Sequence, residues 1–300
     1  MPEGMGLGPG RGYHSQMPYP AKKPRQDAFL RFVFRHLGRH FPRLAGRLFH
    51  RLWFRVRRLE GHLSPQIMAR AGFTGERWQV DGKRVLVYAR GRGPVVVLVH
   101  GWSGHAGQYQ AWLQPLLEAG FRVLAFDAPG HGGSSSRYTN LPEIERILHR
   151  IQAREGDFHA LVAHSYGGVV AVHALKQGLQ AQRLLSLAMP ADARRLVERT
   201  AASLELPAVA LAEFDRLVAA RFGSHWWQQI SPINNVASLG MPGMLVHDRR
   251  DRIVPVTEAE RLHRCWPGSR LLLTQGLGHT RLLSSDAVIE QGVAFLCRSM

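Results

Sequence analysis

Ser165 lies in the stretch Leu161-Val162-Ala163-His164-Ser165-Tyr166-Gly167-Gly168, with a small residue two positions to either side and a helix-like run from Val169 after it. An apolar strand that turns sharply into a helix at a serine presents the hydroxyl at the tip of the turn. Small neighbours are needed there because adjoining strands crowd the backbone. The usual first glycine of such a G-x-S-x-G segment is Ala163 in this chain, small enough for the same place. The chemistry this predicts is nucleophilic attack by Ser165, with the backbone N–H of Tyr166 facing the charge that develops on the attacked oxygen. A second donor is expected from His100-Gly101-Trp102-Ser103-Gly104, which follows the apolar run Val95 to Val99. Gly101 lets the backbone turn so that the N–H of Trp102 faces the site, with the indole lining the pocket.

Such a serine needs a rigid frame. Trp78 to Val80 and Val85 to Tyr88, joined through Asp81-Gly82, read as a hairpin, because Asp-Gly supplies the positive φ of a tight turn. Val95 to Val99, Phe121 to Phe126, His159 to Ala163, Leu184 to Leu187, Met244 to His247 and Leu271 to Thr274 are short apolar runs suited to strands buried on both faces. Helix-like stretches alternate with them near Gln108 to Glu118, Pro142 to Gln152, Val169 to Lys176, Thr257 to Arg264 and Ala287 to Cys297. Alternation of this kind predicts an α/β chain with a mostly parallel central sheet covered by helices on both faces. Between Pro190 and about Leu239 the pattern is helical without a strand and includes Phe222, Trp226 and Trp227. An insertion there sits over the carboxyl ends of the strands, so a small helical cap is expected.

In these features the chain resembles the α/β-hydrolase family over roughly residues 75 to 298. It also carries Asp127-Ala128-Pro129-Gly130-His131-Gly132-Gly133-Ser134, similar to the family's D-x-P-G-x-G-x-S loop, whose role is structural. The resemblance implies an acid after a late strand and a histidine after the last one, in the order serine, acid, histidine. Leu245-Val246-His247-Asp248-Arg249-Arg250-Asp251-Arg252-Ile253-Val254-Pro255 offers two acids. The family places the acid three residues before a Val-Pro step, which selects Asp251 and leaves Asp248 to cap the turn or pair with a nearby arginine. In Gly276-Leu277-Gly278-His279-Thr280-Arg281 the histidine is His279, with glycines that bend the loop over the sheet and Arg281 as an anchor. Asp251 would fix the tautomer of His279, and His279 would take the proton of Ser165.

The chain has 300 residues, 45% of them hydrophobic, enough for one catalytic domain with appendages. Its two cysteines, Cys265 and Cys297, are too few for a disulfide framework and are expected to be reduced and partly buried. The formal net charge of +17 is concentrated at the amino end, where 14 Lys and Arg face three acids up to residue 70. A surplus of that size suggests an acidic partner. Residues 1–26 are rich in Gly and Pro and are expected to be disordered. Residues 27–70 form a basic segment in which Arg31, Arg35, Arg39, Arg43, Arg47, Arg51 and Arg55 recur every fourth position beside Leu30, Phe34, Leu37, Phe41, Leu44, Leu48 and Leu52. That spacing predicts an amphipathic helix, or two that meet near Gly38 and Pro42. Its basic face is read as solvated with the apolar side packed on the catalytic core; an anionic membrane surface is the alternative. Nucleic-acid binding is not expected, since no nucleic-acid fold is evident.

Residues 71–300 are thus read as an α/β-hydrolase domain with a cap insertion at about 190–239. The expected activity is hydrolysis of an ester, thioester or related acyl bond through an acyl-Ser165 intermediate. Acyl transfer or peptide cleavage by the same residues, or a non-catalytic membrane-associated scaffold, are the other readings. Substrate contacts are expected from Trp102, His164, Trp226 and Trp227. No cofactor is needed, and the spacing of His100, His164 and His247 matches no metal signature. With no secretory signal or spanning run in view, a cytoplasmic location, peripheral to a membrane at most, is the expectation.

Overall fold

The computed structural model describes residues 24–58 and 63–298. Of the tail expected at 1–26, residues 1–23 lie outside the described residues, while Pro24 already opens a helix.

Eight strands form one sheet: β1 (Thr74–Val80), β2 (Lys83–Arg90), β3 (Val95–Val99), β4 (Arg122–Asp127), β5 (Ala160–His164), β6 (Leu184–Leu187), β7 (Gly243–Asp248) and β8 (Arg270–Thr274). Their spatial order is β1-β2-β4-β3-β5-β6-β7-β8. β1 and β2 form the expected hairpin, turning at Asp81 and Gly82 with φ of 48° and 69°. Two successive positive φ values give the turn a twist that matches the strands on either side. β2 runs antiparallel to β4, and every later pairing is parallel. β3 shows why these strands read as continuous apolar runs. Val95, Val97 and Val99 enter the core on one face, and Val96 and Leu98 enter the core on the other.

Helices cover both faces. One side holds α4 (Gln110–Glu118) and α11 (Asp286–Cys297), contributing Trp112, Leu113, Ile289 and Phe295 to the core. The other holds α5 (Leu141–Glu155), α6 (Tyr166–Lys176) and α10 (Val256–Cys265), contributing Ile144, Val170 and Leu262. α5 starts at a capped end, where the Asn140 side chain accepts the Glu143 N–H at 3.1 Å. Cys265 and Cys297 end α10 and α11 as exposed free thiols. This corrects their expected partial burial, because both fall on the outward side of their last helical turn.

The interval after β6 is helical as expected: α7 (Ala193–Ser203), α8 (Ala208–Phe222) and α9 (Trp226–Ile230). The basic segment forms α1 (Pro24–His40) and α2 (Pro42–Trp53), with Pro42 in the first turn of α2 and a short α3 (Ser64–Arg70) before the sheet. The break falls at Phe41, and Gly38 serves a different purpose: a Cβ there would come within 2.5 Å of the Pro207 ring. Gly46 is similar, since a Cβ would collide with the Ala210 carbonyl of α8. Small residues thus allow α1 and α2 to lie directly on the cap.

Aromatic side chains seal that contact. Phe49 packs edge-on against Phe34 and Phe214, and Trp53 edge-on against Phe214 and Trp227, while Phe54 meets Phe222 at a tilt. Such pairs add to the free energy of burial itself. Beyond α2 the chain remains bound: Val56 donates to the Arg137 carbonyl at 2.8 Å, and Arg58 donates to the carbonyls of Gly130, Ser134 and Ser136. Phe49→Ala is therefore expected to destabilise the whole domain by about 3–5 kcal/mol in chemical denaturation. A loss below about 1 kcal/mol would show the helical pair to be separable from the core.

Candidate active site

Ser165 sits between β5 and α6 with φ 51° and ψ −121°, a region that side chains other than glycine adopt only under constraint. The constraint is visible around it. Its N–H donates to the Leu187 carbonyl of β6 at 2.8 Å, and its carbonyl accepts from Gly168 at 2.9 Å. A Cβ at Gly167 would collide with the Val99 carbonyl, and one at Gly168 would come within 2.6 Å of the Met189 sulfur. Ala163 is fully buried between Val99 of β3 and Ser186 of β5's other neighbour, which explains why a small residue is required there.

Three side chains from three loops meet at this turn. His279 Nε2 lies 3.0 Å from Ser165 Oγ, and His279 Nδ1 lies 2.7 Å from Asp251 Oδ2. Asp251 Oδ1 accepts from the backbone N–H of Ile253 at 2.8 Å and of Val254 at 3.0 Å. Burial pushes the Asp251 carboxyl up, but the hydrogen bond and charge of His279, with the two N–H donors, outweigh it and hold it below the usual range. An ionised carboxylate can only accept, so it selects the tautomer of His279 with the proton on Nδ1 and leaves Nε2 to accept from the serine.

Asp248, the other acid of that loop, has a different task. Its carboxylate accepts from Arg250 N and Thr274 Oγ1, each at 2.8 Å, and from Leu277 N at 2.8 Å. It caps the turn after β7 and ties it to the start of the loop that carries His279. Burial would raise its pKa, yet these donors prevail and bring it down to about 2. Arg281 anchors the other side of the same loop through the carbonyls of Leu277 and Gly276.

The loop after β3 approaches from the opposite direction. A Cβ at Gly101 would stand 3.1 Å from Ser165 Cβ and from the His164 carbonyl, so a larger residue would crowd the turn and push the loop away from it. Among the described residues no acceptor takes the Trp102 N–H, whereas Ser103 N donates to His131 Nε2 at 3.0 Å and Gly104 N to the Gly101 carbonyl. As the first residue of α6, Tyr166 has no acceptor for its N–H within the helix. The Trp102 indole meets the Tyr166 ring edge-on at 5.4 Å and the His131 ring at 5.6 Å.

Two buried histidines hold this loop to the one that follows β4. His100 Nδ1 donates to the Gly101 carbonyl at 2.8 Å while Nε2 accepts from Ala128 N at 3.0 Å. His131 Nδ1 donates to the Pro129 carbonyl and Nε2 accepts from Ser103. Burial lowers both pKa values, so each ring is neutral, with one nitrogen donating and the other accepting. Asp127 completes the scaffold by accepting from Ser64 Oγ, Tyr88 OH, Ala106 N and Gly133 N at 2.8–3.0 Å. Asp127 and His131 therefore shape the loops from beneath.

His164, expected to contact substrate, is buried below the site instead, and this corrects that expectation. Its Nε2 donates to the backbone carbonyl of His279 at 2.9 Å, and the two rings are 4.9 Å apart. Burial, then repulsion from His279, brings its pKa down to about 3, which keeps it a neutral donor. Its place directly before Ser165 is visible in the sequence; the partner 115 residues away is not. Trp226 and Trp227 need a second correction. Trp226 stacks on Phe222 and meets His173, about two turns along α6 from Ser165. Trp227 stacks on Phe214 and donates to Asp215 at 3.3 Å. Both line a cavity of about 430 Å³ within the cap, which none of Ser165, Asp251 and His279 borders.

The sequence profile of the alpha/beta hydrolase family matches residues 96–291, and the chain belongs to that family. The pimeloyl-[acyl-carrier protein] methyl ester esterase of Nitrosomonas europaea is 26% identical over 234 residues, 65% of this chain and 92% of that protein. The enzyme of the same name from Vibrio atlanticus is 36% identical over 86 residues, 29% of this chain and 32% of that protein. Across the first curated relatives it matches, the chain spans only 9 to 32% of their length. The solved esterase of Exiguobacterium antarcticum superimposes with a TM-score of 0.59 at 19% identity, over 75% of this chain and all of that one, a likeness of fold.

The pKa of Asp248 fixes a pH window. Its folded value of about 2 lies below the ordinary 3.8, so its contribution to stability is complete above about pH 4 and is lost as pH falls toward 2. Asp248→Asn is expected to melt at a lower temperature than wild type at neutral pH, with the gap closing below about pH 3. Equal melting temperatures at neutral pH would show that the turn holds without the charge.

Proposed function

We propose that the protein is a serine hydrolase of carboxylesterase type, cleaving an ester, thioester or related acyl bond of a small-molecule substrate through an acyl-Ser165 intermediate. The observation that carries this reading is the unbroken relay from Ser165 Oγ through His279 to Asp251, at 3.0 and 2.7 Å, with the Asp251 side chain withdrawn from solvent. Relatives named as methyl ester esterases support the choice of an acyl bond.

Each group has one task. Ser165 Oγ attacks the carbonyl carbon as its proton passes to His279 Nε2. Asp251, ionised throughout, stabilises the imidazolium that results. The N–H groups of Trp102 and Tyr166 receive the negative oxygen of the tetrahedral intermediate, helped by the positive end of α6. Collapse of the intermediate breaks the bond to the leaving alcohol or thiol, which takes the proton from His279. Water then repeats the sequence in reverse, giving up a proton to His279 and releasing the acid with Ser165 restored. His164 keeps the His279 backbone in place without exchanging a proton, since its ring is neutral at any pH in this range.

A fluorophosphonate probe is expected to label the wild type, and neither Ser165→Ala nor His279→Ala. Turnover of a short acyl ester should fall about 10⁴-fold in Asp251→Asn and by up to about 10⁶-fold in Ser165→Ala, with the fold intact by circular dichroism. A well-folded wild type that resists labelling would overturn the reading in favour of a binding scaffold.

A further inference from the structure

The inner face of α1 and α2 is fully occupied within the chain: Phe34, Ala45 and Phe49 are buried, and Gly38 and Gly46 touch the cap. An amphipathic pair whose apolar side is spent in this way should show water a polar back. It does not. Phe29, Phe32, Phe41 and Leu44 are 65, 59, 62 and 52% exposed. Leu30, Phe34 and Leu37 define the inward direction of α1, and at 100° per residue Phe32 points about 180° away from it. Val209, also exposed, lies on α8 between Pro207 and Ala210, the two residues that Gly38 and Gly46 touch.

Cations surround these side chains. Arg35, Arg39, Arg43 and Arg47 are all exposed, and no Asp or Glu occurs between residues 28 and 58. Arg35 and Arg47 reach Glu205 and Glu213 of the cap while remaining 72 and 63% exposed, so these contacts leave most of each side chain to a larger anionic partner. The combination excludes the simpler occupants. A second copy of the chain seated face to face would bring arginine row against arginine row, with no acid on either α1 or α2 past residue 27 and with Glu205 and Glu213 already paired within their own chain. A nucleic-acid duplex would use the arginines and leave four large apolar groups in water. An anionic bilayer takes both, with phosphates at the headgroup level and an apolar boundary directly beneath.

We propose that α1 and α2 form an interfacial anchor that seats the cap side of the protein on an anionic lipid bilayer. Phe29, Phe32, Phe41 and Leu44 enter the boundary between headgroups and acyl chains, and Arg35, Arg39, Arg43 and Arg47 hold lipid phosphates. The anchor uses the outward face of the helices, and the inward face stays on the cap, so docking needs no unfolding of the segment.

The test is flotation of the full chain with vesicles of phosphatidylcholine alone and with about a third phosphatidylglycerol, at near-physiological salt. The wild type should float with the second and not the first. A triple variant, Phe29→Ser, Phe32→Ser and Phe41→Ser, should lose roughly tenfold or more of that binding, as should Arg35→Gln, Arg39→Gln and Arg43→Gln together. Both variants change exposed side chains and should keep the wild-type melting temperature and fluorophosphonate labelling. Failure of the wild type to float, or flotation undiminished by the phenylalanine changes, overturns the proposal. So does a wild-type dimer in light scattering that the phenylalanine changes convert to monomer, which would assign the face to self-association.

Discussion

The backbone at Ser165 is the constraint on which the other elements depend. A φ of 51° with ψ of −121° costs of order 1–3 kcal/mol for a residue with a side chain and persists only where the surroundings leave no alternative. Those surroundings are β3, β6 and the start of α6, pressed so close that Gly167 and Gly168 admit no Cβ. Relaxing the turn would break the bond from Ser165 N to the Leu187 carbonyl and swing the hydroxyl out of reach of His279. The sheet is thus more than a platform, since its close packing stores the strain that aims the serine.

A turn this rigid requires partners of equal rigidity, and buried polar groups supply it. Asp127 holds the loop after β4, Asp248 the loops after β7 and β8, and His100, His131 and His164 the backbone between them. Each is buried and each has its bonds directed at backbone or fixed side chains, so the network specifies one arrangement of loops that have no regular structure of their own. At His100 and His131 a neutral ring suits the role because one nitrogen donates and the other accepts, allowing a single side chain to bridge two loops without the desolvation of a charge.

What the sequence made legible follows from range. Strands such as Val95–Val99 and Leu184–Leu187 were readable to the residue because burial on both faces leaves a continuous apolar run. The family's placement of its acid three residues before a Val-Pro step selects Asp251 over Asp248, and in the structure Asp251, not Asp248, lies against His279. Adjacency to Ser165 suggests a pocket position for His164, while its bond is to a carbonyl 115 residues on. Position in the cap suggests substrate contacts for Trp226 and Trp227, although the phenylalanines that enclose them come from α8 and Trp53 of α2 meets Trp227. Exposure of Cys265 and Cys297 was hidden for a related reason: each lies at a helix end, where periodicity no longer tells inside from outside.

The basic amino-terminal segment shows how one pattern can serve two surfaces. An arginine every fourth residue runs ahead of the helical repeat by about 40° per step, so the row winds around the helix and cannot remain on the side opposite the apolar stripe. The stripe that includes Phe34 and Phe49 meets the cap at Phe214, and this contact fixes which way α1 and α2 can face. Phe29, Phe32, Phe41 and Leu44 are the large apolar residues of these two helices that stay exposed beyond the cap contact. α8 bears the amino-terminal helices on one side, and the segment is also tied to the loop after β4 directly, through Arg51 to the Tyr138 hydroxyl and Arg58 to the carbonyls of Gly130, Ser134 and Ser136, so a force applied to those helices reaches both the cap and the loop that carries His131.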